Sequence, residues 1–156
     1  MVDNTELGRI ADQLQRAYAG TAWHGPSVME ALDGVTPPVA SRRIIENAHT
    51  IWELVHHIGA WADIPRRRIL GESFEVTPEI NFPPVTETSD AAWKECLSKL
   101  AESQRKLIEL VVKLEPARLY HSTQKDGPTI YTILHGVAQH HTYHAGQIML
   151  LRRVHT

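Results

Sequence analysis

Cysteine is all but missing from this chain. Cys96 stands alone in 156 residues, so no intramolecular disulfide can form and a small disulfide-stapled scaffold is excluded. Charge of one sign is missing too: the formal net charge is −2, the sequence pI is near 6.5, and the lysines and arginines are scattered rather than striped. A phosphate backbone is therefore not an expected partner. No uninterrupted apolar segment approaches the roughly 20 residues that a bilayer span needs. The opening Met-Val-Asp-Asn-Thr-Glu lacks the basic start and apolar run of a secretory signal. Strand-like alternation with turn chemistry beside it occurs nowhere, and no internal repeat is visible. H-E-x-x-H and phosphate-loop motifs are absent as well, so metalloprotease and nucleotide chemistry are not expected. These absences predict a soluble, cytoplasmic protein with neither nucleic acid nor membrane as partner, and the length fits a single domain, 1–156, around one core.

What the chain does have is histidine, ten in all, and their placement matters more than their number. The apolar spacing reads as four long helices. Leu7, Ile10, Leu14 and Ala17 mark one face of a helix from about Asn4 to Tyr18. Gly20 and Gly25-Pro26 interrupt it, and Ser27 is placed to cap a short helix ending near Leu32 or Asp33. Ile44, Ile51, Leu54, Val55, Ile58, Trp61 and Ala62 stripe a second long helix over Ser41 to Leu70, closed by Gly71. The stretch Glu72 to Thr88, with Pro78, Pro83 and Pro84, reads as an irregular connection across one end of the fold. Ser89 or Asp90 caps a third helix reaching Leu114, in which Trp93, Leu97, Leu100, Gln104, Leu107, Val111 and Leu114 follow the 3-4 step of a bundle seam. After a loop from Glu115 to Pro128, the fourth helix runs from about Thr129 to Val154. The predicted fold is all-α, a four-helix bundle, with loops long enough for a connection that crosses an end of the bundle.

The fourth helix carries the most informative residues. His140 and His144 are one helical repeat apart, offset by about 40° around the axis with Cβ atoms roughly 5–6 Å apart, so both imidazoles can reach one cation. They share their turns with Ile133, Val137, Ile148 and Leu151, a stripe that faces a core, where unpartnered imidazoles would be costly to bury. A zinc-like site takes at least three protein ligands, and the second helix offers His49, His56 and His57. His57 falls with Leu54, Ile58 and Trp61 toward the inner stripe, whereas His56 falls with Trp52, Gly59 and Asp63 toward a boundary. On the fourth helix His141 competes, since it lies near Leu134, Ala138 and Ala145 and stands at i,i+3 from His144. Spacing alone leaves that choice open. It also leaves open a reading in which all of these are core or boundary histidines hydrogen-bonded to neighbours.

The runs Ile51-Trp52-Glu53-Leu54-Val55-His56-His57-Ile58, His140-x-x-Tyr143-His144-Ala145-Gly146-Gln147-Ile148 and Trp23-His24-Gly25-Pro26-Ser27 resemble the DinB-like superfamily, a group of damage-inducible, bacillithiol-transferase-like metalloproteins. The resemblance takes in Leu70-Gly71-Glu72 and Trp93 and covers nearly the whole chain. It implies a four-helix bundle, often dimeric, that holds a divalent cation through three histidines near one end: His57, His140 and His144. It does not imply a DNA polymerase. A His₃ centre, with Zn²⁺ or Ni²⁺ foremost, keeps a position open for water or a thiolate. The expected function is thus a metal-dependent enzyme of the thiol S-transferase or hydrolase kind, with a small-molecule substrate and a low-molecular-weight thiol as cosubstrate. The alternative is a non-catalytic metal- or ligand-binding stress-response protein.

A homodimer is expected from the resemblance and from Leu110, Val112, Met149 and Leu150, which lie outside the main stripes. His141 is expected beside the site or at the surface, and His49, His56 and His135 at boundaries. His24 is read as part of a structural corner at Gly25-Pro26, with a place lining the pocket as the alternative. Trp23, Trp52, Trp61 and Trp93 read as mostly core, and Cys96 as a small buried apolar residue. Gly146 suits a close helix approach. Tyr143 points about 100° away from His144, which leaves a role as acid or hydrogen-bond donor open.

Overall fold

The computed structural model describes residues 5–154, and every regular element among them is helical. Four long helices, α1 (Glu6–Tyr18), α4 (Ile51–Ile69), α6 (Asp90–Val112) and α7 (Ile130–Arg153), carry the core. Between them lie the short helices α2 (Val28–Leu32), α3 (Pro37–Ser41) and α5 (Pro78–Asn81), and a 3-10 turn over Pro116–Tyr120. No helix among the described residues is long and apolar enough to cross a membrane.

α4 packs against α6 and α7, and α1 packs against the same two helices. Trp52 meets Trp93 with ring centroids 4.8 Å apart, and two turns later Gly59 faces Leu100 and Ser103, so α4 and α6 climb in the same direction. Leu7, Ile10 and Leu14 share a buried cluster with Ile130, Leu134 and Val137, whereas Tyr18 joins Ala145 and Ile148 in a second cluster. α1 and α7 therefore also run together. Ile51, Val55 and Ile58 belong to the cluster of Ile148, and Ala62 and Ile69 to that of Ile130, so this second pair is antiparallel to the first.

That topology corrects one expectation. α4 ends where α6 ends, so residues 70–89 do not cross one end of the fold; they return along its length to the start of α6. A 23-residue helix is roughly 34 Å long, a distance that a largely extended chain of that length spans easily. The segment is not wholly irregular either. Pro78, expected to exclude regular structure, occupies the first position of α5, where its missing N–H costs nothing, and Thr77 caps the turn.

Most helix ends follow their caps. Ser27 and Glu30 form a reciprocal capping box, Ser89 caps α6 and Thr129 caps α7. Gly71, at φ +98°, closes α4: its N–H reaches the Arg68 carbonyl while that of Glu72 reaches the Arg67 carbonyl, the paired bonds of a Schellman ending. α4 begins ten residues later than expected, at Ile51. Thr50 Oγ1 accepts from the Glu53 N–H (3.1 Å) and Glu53 Oε2 from the Thr50 N–H (2.7 Å), a local start signal stronger than the apolar spacing of Ile44. Asn4, the expected start of α1, lies outside the described residues; Thr5 is the cap, accepting from the Gly8 N–H at 3.1 Å. α6 stops at Val112, short of Leu114.

Candidate metal centre

α4 and α7 are antiparallel neighbours, and their registers set His57 against His140 and His144. His140 Nε2 lies 2.9 Å from His57 Nε2 and 3.0 Å from His144 Nε2. The three ligand nitrogens all fall within 4.8 Å of one another, and among the described residues no other group of three or more His, Cys, Asp or Glu converges in this way. His57 and His144 are buried and His140 is half-buried.

Outer hydrogen bonds set the tautomers. His57 Nδ1 donates to the Asn81 carbonyl at 2.7 Å, and His144 Nδ1 donates to Gln147 Oε1 at 2.6 Å. Each proton is thereby placed on Nδ1, and each Nε2 turns a lone pair inward. His140 Nε2 faces both, and with one proton it satisfies only one of them; its own Nδ1 is buried without a partner. Three neutral imidazoles so arranged leave lone pairs facing lone pairs, an arrangement that a cation at the convergence relieves. Burial depresses the basicity of all three, and neighbouring imidazoles depress it further, His140 down to about 3. Near pH 7 the group is thus in the neutral state that binds metal.

The returning 70–89 segment braces the site from outside. Phe82 stacks on His57 (centroids 4.0 Å, 7° between planes), and His49 stacks on Phe82 in turn (3.8 Å, 12°). Asn81 Oδ1 accepts from Trp61 Nε1 at 2.8 Å, so one residue anchors both a histidine and an indole. A pocket of about 430 Å³ opens beside the histidines, walled by Trp61 and Pro65 of α4 and by Ile133, Gly136 and Val137 of α7. Tyr143, 64% exposed, forms its rim, with its ring 5.0 Å from that of His144. Neither Asn81 nor Phe82 stands out in the sequence; Thr77-Pro78, a cap followed by proline, is the one local sign that this segment is built.

The competing histidines go elsewhere. His141 is fully buried and turns away from the pocket: Nδ1 donates to the Val137 carbonyl (2.6 Å), and Nε2 accepts from Gln104 Nε2 (2.5 Å), tying α7 to the diagonally opposite α6. It is not at the surface but in the core, with its ring 6.3 Å from that of His140 and its nitrogens turned to α6 and to its own helix. His56 donates from Nδ1 to the Pro83 carbonyl (2.8 Å) and accepts from Trp52 Nε1 (3.2 Å). It faces a larger groove of about 620 Å³ between α4 and α6, which gathers no comparable ligand set. His24 is exposed, 3.4 Å from Thr142 Oγ1, and with His135 lines a third depression between α1 and α7.

Two tryptophans depart from the core reading. Trp23 is fully exposed on the loop after α1, where no helical period fixes its direction, and Trp61 is half-buried as pocket wall; Trp52 and Trp93 are core. Cys96 is buried as expected, its thiol pushed up to about 12 by that burial.

An all-helical protein with three inward-facing imidazoles between two antiparallel helices has the makings of a metal-binding protein. The comparison with known families agrees: the model of the DinB superfamily matches residues 12–148, and the chain belongs to that family. No curated protein and no solved structure matches it.

Proposed function

We propose that His57, His140 and His144 hold a divalent cation, Zn²⁺ or Ni²⁺ foremost, and that the protein is a metal-dependent enzyme of the thiol S-transferase or hydrolase kind acting on a small molecule. The observation that carries this reading is the convergence of three Nε2 atoms, two of them with the opposite Nδ1–H tied to a carbonyl oxygen. When bound, the cation supplies a Lewis acid that favours the deprotonated form of a thiol or of water near neutral pH. The chain does the rest. Asn81 and Gln147 orient two imidazoles, Phe82 holds the His57 ring plane, and Trp61, Ile133 and Val137 keep water from the inner wall. The Tyr143 hydroxyl is the proton-bearing group at the rim.

Elemental analysis and equilibrium dialysis test the site: one cation per chain is expected, lost in His140→Ala. Turnover of an electrophile with bacillithiol, mycothiol, glutathione or an uncharged aromatic thiol, abolished by chelation, tests the activity. A second reading, a non-catalytic metal- or ligand-binding stress-response protein, draws support from the pocket wall, which includes no carboxylate among the described residues to move a proton. Metal uptake without turnover of any such pair would favour it.

We further propose that the protein is a homodimer. Leu150 (66% exposed) and Ile45 (54%) flank one shallow groove at the edge of α7, and Val112 is exposed on α6, while Leu110 and Met149 pack partly onto the core. Sedimentation as a monomer at micromolar concentration would overturn this assignment.

A further inference from the structure

We infer that the three-histidine site takes a small molecule that is uncharged apart from a single metal-directed donor, with a flat apolar body that lies along Trp61. This inference rests on the metal reading above and narrows its substrate class. Beyond the histidines the pocket is walled by Trp61, Pro65, Ile133, Gly136, Val137 and Tyr143, with Asn81 at the edge, and among the described residues no lysine, arginine, aspartate or glutamate takes part. The charged groups of α4 near this face are outside the lining: Asp63 pairs with Arg66 at 2.7 Å and faces the groove toward α6, and Arg68, a turn beyond Pro65, reaches the Phe74 carbonyl at 3.4 Å.

Polar capacity on the Trp61 wall of the pocket is also taken. The Trp61 N–H and the Asn81 side-chain oxygen satisfy each other, so the indole offers a guest only its π face, and its ring lies 5.8 Å from that of His140. A carboxylate carried into this space would lose its hydration with no guanidinium or ammonium to replace it. A thiol that carries carboxylates, such as glutathione, is therefore poorly matched to this wall, and an aromatic or aliphatic thiol is well matched. Gly136 adds room: a Cβ built there meets nothing within 4 Å.

The test uses the full chain loaded with one equivalent of Co²⁺, whose visible absorption reports a new ligand at the metal. Thiophenol and 4-mercaptobenzoate share an aromatic thiol and differ in a remote carboxylate. Thiophenol is expected to bind at least about tenfold more tightly. Trp61→Ala should erode thiophenol affinity several-fold without changing the Co²⁺ stoichiometry. Gly136→Lys, which places an ammonium in the open wall, should narrow or reverse the preference. Equal affinities in the wild type, tighter binding of 4-mercaptobenzoate, or loaded protein that binds neither would overturn the inference. Protein that takes up no Co²⁺ at all would instead sink the metal reading, and this inference with it.

Discussion

Gln147 touches no other member of the histidine group, yet it decides which nitrogen of His144 carries the proton. Removing that acceptor leaves His144 free to place its proton inward, against a cation. Gln147→Ala is therefore expected to lower metal affinity by about 10–100-fold with helix content unchanged, a result that competition with a chromogenic chelator and circular dichroism would read together. Affinity equal to wild type would show that the bond is incidental. The histidines themselves were legible because helical periodicity is a short-range rule: it places His140 beside His144 and turns His57 inward without any knowledge of the fold. Spacing favours His57 over His56, but it leaves His141 open as a competitor on α7, a choice that rested on resemblance. What separates them is the neighbouring chain, namely Asn81 at His57, Pro83 at His56 and Gln104 at His141, contacts that span 24, 27 and 37 residues.

At the scale of the element, the start of α4 matters because it sets the register of His57. Thr50→Ala removes one half of the capping box, and a loss of about 1 kcal/mol is expected, read as a lower urea midpoint with an unchanged slope. A slope change would mean that the link before α4 unravels as well. Gly71→Ala should cost about 1–2 kcal/mol by the same assay, since an alanine at φ +98° is strained whatever space surrounds it. Caps carried most helix ends in the sequence: Ser89, Thr129 and Gly71 each did what their chemistry dictates. The apolar spacing of Ile44 extends the expected helix too far; Ile44 is itself half-buried, in a mostly exposed link that ends at the Thr50-x-x-Glu53 cap. The 70–89 segment shows the other limit. Its composition reveals a break in the helices, but its course along the molecule depends on α4 and α6 being parallel, which no local pattern encodes.

For the whole molecule, three buried histidines and the half-buried His140, packed among α4, α6 and α7, make stability a function of pH. Burial lowers the basicity of His57, His140, His141 and His144, with His141 reaching about 4 and His140 about 3. The unfolded chain takes up these protons near the ordinary histidine value of 6.5, while the folded chain refuses them until lower pH. Between those values the unfolded state binds more protons, so stability falls as pH is lowered, and each group's contribution is complete only above 6.5. The apo protein should therefore melt at progressively lower temperature from about pH 7 to about pH 4. A cation that binds only the folded chain adds a second loss, because protons compete for the same nitrogens; the loaded protein should lose its extra melting temperature as the pH drops through about 6. The double variant His140→Ala/His144→Ala should lack that second component and keep a slope from His141. Scanning calorimetry with and without Zn²⁺ separates the two. A flat apo profile would contradict neutral burial of the histidines, and a wild-type melting temperature unmoved by Zn²⁺ at pH 7.5, with no binding by dialysis, would leave the cluster a purely structural one.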